Sequence, residues 1–324
     1  MMTKKKMFSM ILSLVLMFTL AACGGGGEGA STGATDGSSG DKKVIGVSLS
    51  SVSDTFRTFI YDAMNEEAAN HPDFEFVYSD AQEDSSRQMN QVENFISRGV
   101  DAIIFMPVDT VAAPDIVAKV NEAGIPIVVV NQTFNGVDKA TAFVGSSSIE
   151  SGLIQMEEVV NLLDGKGNIA IMDGMLGHEA QIKRTEGNME IIEEHPDMEV
   201  VLQGTGEWSR NQGMNLMENW LQSGKQIDAV VANNDEMAIG ALLAIEAAGK
   251  LDEIIVAGID ASPDALEYMQ AGKMDVTVFQ DAKDQGSTGV QVAVKAANGE
   301  GVETVIIPYL LVTPENVDEF VGKN

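Results

Sequence analysis

Val120-Asn121-Glu122-Ala123-Gly124-Ile125-Pro126-Ile127-Val128-Val129 and Ile245-Glu246-Ala247-Ala248-Gly249 are the stretches that decide the fold. In each, an apolar helical run closes on Ala-Gly. Glycine accepts the left-handed backbone that ends a helix without steric penalty. The first stretch passes at once into a β-branched run, which suits a buried strand. The same unit in both halves of the chain predicts two similar open α/β lobes in tandem, each a parallel sheet covered by helices. One eight-unit barrel is the alternative arrangement of such units.

Working outward, short apolar runs at 44–49, 74–79, 102–106, 127–131, 168–173, 199–203, 229–232 and 254–259 read as strands. Helical stretches at 55–69, 87–97, 113–123, 150–163 and 211–221 lie between them. Met89, Val92, Phe95 and Ile96 fall on one helical face, and Gly99 closes that run. In open sheets ligands bind beyond the carboxyl ends of the strands. Residues just after strands are therefore the candidates for function.

The first forty residues have a different character. Lys4, Lys5 and Lys6 precede an apolar run from Met7 to Leu20, followed by Ala21-Ala22-Cys23. Charge, apolar run and small residues in that order make an export signal, and the run falls short of the ~20 residues that span a bilayer. Leu-Ala-Ala-Cys resembles a lipoprotein box, which implies cleavage before Cys23 and a lipid anchor on its thiol. Cys23 is the single cysteine of the 324-residue chain, so it has no internal disulfide partner. The following Gly, Ser, Thr and Asp residues cannot bury enough apolar surface to fold and read as a tether.

The formal net charge of −29 argues against nucleic acid, whose phosphates require clustered Lys and Arg. No His or Cys cluster suits a metal, and Asp164-Gly-Lys-Gly lacks the alternating carboxylates of a calcium loop. Neither a Gly-x-Ser-x-Gly elbow nor a Walker loop is present. The sequence thus predicts a protein that is not an enzyme and needs no cofactor.

The strand-end positions hold Asp54, Phe56, Met106, Asn131, His178, Arg184, Trp208, Asn234, Asp260 and Gln280. Carboxylates accept from hydroxyls, amides and guanidinium donate to them, and aromatic faces stack on C–H surfaces. That mixture suits a small neutral sugar or polyol. Asp235 reads as a helix-start acid, Trp220 as core, and His71 and His195 as surface residues before proline.

Here a resemblance becomes specific. Ala232-Asn-Asn-Asp-Glu-Met-Ala-Ile-Gly-Ala241, Ala257-Gly-Ile-Asp260-Ala-Ser-Pro and Thr277-Val-Phe-Gln280-Asp, with Met106-Pro-Val-Asp109 and Phe143-Val-Gly145, occur in family order. Together they resemble the periplasmic ribose- and galactose-binding proteins of ABC transporters, from Val44 to about Phe320. The resemblance implies a type I periplasmic-binding-protein fold with a three-segment hinge near Ser146, Asp281 and Pro308. It places ligand contacts on Asp54, Phe56, Asn131, His178, Arg184, Trp208, Asn234, Asp260 and Gln280. At Met106 the family usually has an asparagine, so the sequence departs there.

The domain organisation expected is a signal peptide at 1–22, a tether at 23–42, a first lobe of 43–146 plus 282–308, and a second of 147–281 plus 309–324. The expected protein is a monomer, lipid-anchored outside the cytoplasm, that hands a monosaccharide to an ABC transporter permease. A hexose such as galactose or glucose is favoured, with myo-inositol or a ribose-like pentose as alternatives. A sugar sensor for a kinase or chemoreceptor also remains open, and a glycoside hydrolase is least favoured.

Overall fold

The computed structural model describes residues 42–324. The expected signal peptide, Cys23 and nearly all of the tether lie outside the described residues. Among the described residues two open parallel sheets and a short antiparallel pair form, and a single closed barrel is thereby excluded.

The first sheet holds β1 (Lys43–Leu49), β2 (Phe74–Asp80), β3 (Ala102–Phe105), β4 (Ile127–Asn131), β5 (Ala142–Gly145) and β11 (Val305–Ile306). Their order is β11-β5-β4-β3-β1-β2, all parallel. Helices α1 (Thr55–Ala68), α2 (Ser85–Arg98) and α3 (Ala113–Glu122) connect them, and α9 (Ala282–Ala297) joins from late in the chain. Side chains alternate across the sheet as the pleat requires. Ala102, Ile104 and Met106 enter one core with Ile45 and Val47, while Ile103 and Phe105 enter the other with Val92 and Phe95.

The second sheet, ordered β7-β6-β8-β9, holds β6 (Lys166–Asp173), β7 (Asp197–Thr205), β8 (Ala229–Ala232) and β9 (Ile255–Ala257). Its helices are α4 (Ser148–Leu162), α5 (Glu179–Glu193), α6 (Arg210–Gln222), α7 (Asp235–Ala247) and α8 (Pro263–Gln270). The antiparallel pair β10 (Thr277–Phe279) and β12 (Leu310–Val312) extends beyond β9 through bridges at Ala257–Val276 and Asp260–Phe279.

The chain passes between the two sheets three times, after β5, after β10 and after β11. Among the described residues, two two-residue links and one three-residue link are the covalent connections between them, which is the geometry of a hinge. The passages are tied to the lobes: Gln285 Nε2 donates to Ser146 Oγ at 3.2 Å, and Asn324 Nδ2 donates to the Gln280 carbonyl at 3.0 Å.

Local sequence explains the helix ends. Asp84 caps α2 by accepting from Arg87 N at 2.9 Å, and Gly99 closes it with φ 66°. The predicted stripe buries Val92 and Phe95. Burying one such side chain stabilises by about 1.5–3 kcal/mol, which outweighs the modest polar propensity of the rest of the helix.

Candidate functional site

Helices that follow parallel strands begin at the carboxyl edge of the sheet, so their N-caps converge there. Asp54 caps α1, accepting from Arg57 N at 2.9 Å, and Asn234 caps α7, accepting from Met237 N at 3.1 Å. His178 occupies the cap position of α5. Three further strand-end residues adopt left-handed backbone: Asn131 with φ 74°, Trp208 with φ 62° and Asp260 with φ 129°. Such conformations cost on the order of 1–3 kcal/mol each and persist where surroundings enforce them, commonly at ligand sites.

Asp54, Phe56, Asn131, His178, Arg184, Trp208, Asn234, Asp260 and Gln280 line one cavity between the lobes. Arg184 organises its second-lobe wall. Its Nη1 donates to the Asn233 carbonyl at 2.6 Å, and its Nη2 donates to Gln280 Oε1 at 2.7 Å and to the Tyr309 hydroxyl at 3.3 Å. Its Nε is buried without a partner. Arg184 is buried, so it is not a helix-surface residue paired along α5.

Counting the remaining hydrogen-bonding capacity shows what the cavity can hold. With one oxygen of Asp54 and the oxygen of Asn234 committed to capping, the other Asp54 oxygen can accept and Asn234 Nδ2 can donate. Asn131 Nδ2 is taken by Gln285 Oε1 at 3.0 Å, leaving its oxygen as an acceptor. Gln280 uses its oxygen for Arg184 and keeps its amide N–H groups. Among the described residues no protein hydrogen bond reaches the Asp260 carboxylate. Each cation of the site faces an acid, Arg184 facing Asp260 at 3.6 Å and Arg57 facing Glu83. A small molecule with several hydroxyls and no net charge meets these demands.

Trp208 is half-buried, and its indole N–H donates to His178 Nδ1 at 3.1 Å. The indole ring packs directly on the backbone of Gly174, where any Cβ would overlap it. Burial, reinforced by the Arg57 charge, lowers the His178 pKa to about 4, so its imidazole is neutral at physiological pH. Burial raises the Glu179 pKa, although Ser148 and Thr133 oppose the shift by donating to its carboxylate at 2.8 and 3.1 Å.

Contacts cross the cavity from lobe to lobe. Arg57 Nη2 lies 3.5 Å from His178 Nδ1, and Thr133 donates to Glu179. The lobes are thus closed on each other.

One expectation is corrected. Met106 is absent from the cavity lining and fully buried in the first lobe's core, because it continues the face of Ala102 and Ile104. Arg57, Gln132, Ser148 and Glu179 also line the cavity and were not anticipated. Gln132 and Glu179 directly follow Asn131 and His178, so the strand-end rule reaches them if carried one residue further. Asp235 sits behind the site, fully buried, accepting from Ser262 N at 2.7 Å and Thr277 Oγ1 at 2.7 Å. Trp220 is buried in the second lobe's core.

Residues 45–301 match the profile of the periplasmic binding protein domain. A protein of Rhizobium meliloti named for rhizopine binding is 42% identical over 87% of this chain and 94% of its own. A solved ABC transporter solute-binding protein of Bacillus halodurans C-125, with bound myo-inositol, is 70% identical. Its TM-score is 0.86, covering 87% of this chain and 98% of that one. The myo-inositol-binding protein of Caulobacter, bound to myo-inositol, is 27% identical with a TM-score of 0.82, covering 88% and 98%.

Proposed function

The chain belongs to the periplasmic binding protein domain family, a family of substrate-binding transport proteins, and on that premise we propose that it captures myo-inositol for an ABC transporter. The observation that carries this reading is the 70% identity to a solute-binding protein with myo-inositol bound. The hexose favoured on sequence gives way to the cyclitol alternative for this reason. The cavity supports the change in chemical terms. Myo-inositol carries a hydroxyl on every ring carbon, each able to donate and accept. The free groups of Asp54, Asn131, Asn234, Asp260 and Gln280 supply both roles. Trp208 and Phe56 offer faces for the C–H surfaces of the ring.

Closure then follows from ligand contact with both lobes, 43–146 plus 282–308 and 147–281 plus 309–324. Asp54, Phe56 and Asn131 act from the first, and Arg184, Trp208, Asn234 and Asp260 from the second. A solute that touches both lobes favours the closed form by its differential affinity, and one that touches a single lobe does not. The protein works as a monomer held outside the cytoplasm by a lipid on Cys23. Labelled palmitate incorporated into the wild-type protein and lost in Cys23→Ser tests the anchor.

A thermal-shift panel of myo-inositol, D-galactose, D-glucose, D-ribose and xylitol tests the ligand. A solute that binds only the folded state raises its melting temperature by mass action. Myo-inositol gives the largest rise; a larger rise with galactose or glucose restores the hexose reading.

A further inference from the structure

We propose that His178 is a positioning residue whose Nδ1 fixes the Trp208 indole for the solute ring and couples it to the first lobe. The inference rests on the reading of the cavity as the solute site.

Two donors converge on one ring nitrogen. Trp208 Nε1–H reaches His178 Nδ1 at 3.1 Å, and Arg57 Nη2 lies 3.5 Å from the same atom. Guanidinium and indole can only donate, so Nδ1 must carry its lone pair. The imidazole proton is therefore on Nε2. That nitrogen faces Glu83 Oε2, a buried oxygen without a hydrogen-bond partner, at 3.7 Å, which is beyond hydrogen-bond reach. Both ring nitrogens are thus directed at protein groups, one toward a second-lobe indole and both toward first-lobe side chains. Nδ1 is committed to protein donors and has no capacity left for a hydroxyl.

Trp208 needs such a holder. Its φ of 62° is an uncommon backbone for a bulky residue, and its ring is only half-buried. Gly174 packs against the six-membered part of the ring, away from the indole N–H. A hydrogen bond at the indole N–H fixes its direction in the plane. Because Arg57 and Glu83 come from the opposite lobe, the holder is complete only when the lobes are closed. The stacking platform and closure are in this way linked through one imidazole.

Substitution distinguishes the two roles of the ring. Asn places an amide oxygen near the position of Nδ1, and Gln places its amide near Nε2. The variants are H178N, H178Q and H178A, made in a W220F background so that Trp208 alone emits. The expected result is that H178N keeps the emission spectrum of the solute-free protein and myo-inositol affinity within about threefold, whereas H178Q and H178A shift the emission and lose about tenfold or more. Recovery of affinity by H178Q and not by H178N identifies a direct solute contact through Nε2 and overturns the proposal. Unchanged emission in H178A overturns it as well. The emission arm needs no solute, so a wild-type protein that ignores myo-inositol sinks the ligand assignment while leaving the positioning claim separately tested.

Discussion

Arg184 and Asp260 face each other at 3.6 Å, guanidinium to carboxylate, with both side chains buried in the cavity wall. Burial pushes the Asp260 carboxyl well above the ordinary carboxylate range, and Arg184 opposes that shift. Arg184 also spans the Asn233 carbonyl, the hinge residue Gln280 and Tyr309. Removing it strands a buried acid and releases three segments at once.

Arg184→Ala is expected to lose measurable solute binding and about 3–5 kcal/mol of stability, the cost of leaving a buried partner unpaired. Arg184→Lys keeps the charge but not the planar fork that reaches three acceptors. It recovers part of the stability and little of the affinity. Urea denaturation and calorimetric titration of both variants check this; full affinity in the lysine variant contradicts it.

Asp54 separates capping from recognition. Asn caps a helix as well as Asp, so Asp54→Asn should leave stability within about 0.5 kcal/mol of wild type. A charged acceptor becomes a neutral one, and affinity for a hydroxylated solute should fall about tenfold or more. Equal affinity in the variant places the solute away from α1.

Gly174→Ala puts a methyl group where the Trp208 ring lies. The indole must shift, and the predicted outcome is about tenfold or greater loss of affinity with a native circular dichroism spectrum. Wild-type affinity in this variant removes Trp208 from the account.

The low His178 pKa makes a signed prediction. The unfolded chain takes up the imidazole proton near pH 6.5, while the folded protein does so only near pH 4. Between those values the unfolded state binds more protons, so the stability contributed by this site falls as pH falls. Buried Asp235, pushed up to about 6 by desolvation, works in the opposite direction. Subtracting a His178→Asn variant isolates the histidine. The stability difference between wild type and variant should shift against the wild type by up to about 3 kcal/mol from pH 7 to pH 4. A difference constant across that window contradicts the assignment.

Much of the site was legible because strand ends are visible as changes of hydrophobic pattern. Asn131, Asn234, Asp260 and Gln280 each stand at or just beyond a β-branched run, and all reach the cavity. Met106 shows the limit of that rule. It also follows a strand, but the two-residue period carries its side chain into the core behind Ile104. Arg57 was illegible for a different reason. It is a first-turn residue of α1 whose inward course depends on Glu83, distant in sequence within the same lobe, and on His178, which only the closed lobes bring to it. The late return of α9 to the first sheet has no local signature, since no pattern in the sequence distinguishes it from a second-lobe helix.

Isothermal titration of residues 42–324 with myo-inositol, set beside D-galactose and D-ribose, tests the central claim most directly. The account predicts one-to-one binding of myo-inositol, tighter than either sugar by about tenfold or more, and its loss in Asp260→Ala. Tighter binding of galactose or ribose, or full myo-inositol affinity in Asp260→Ala, contradicts it.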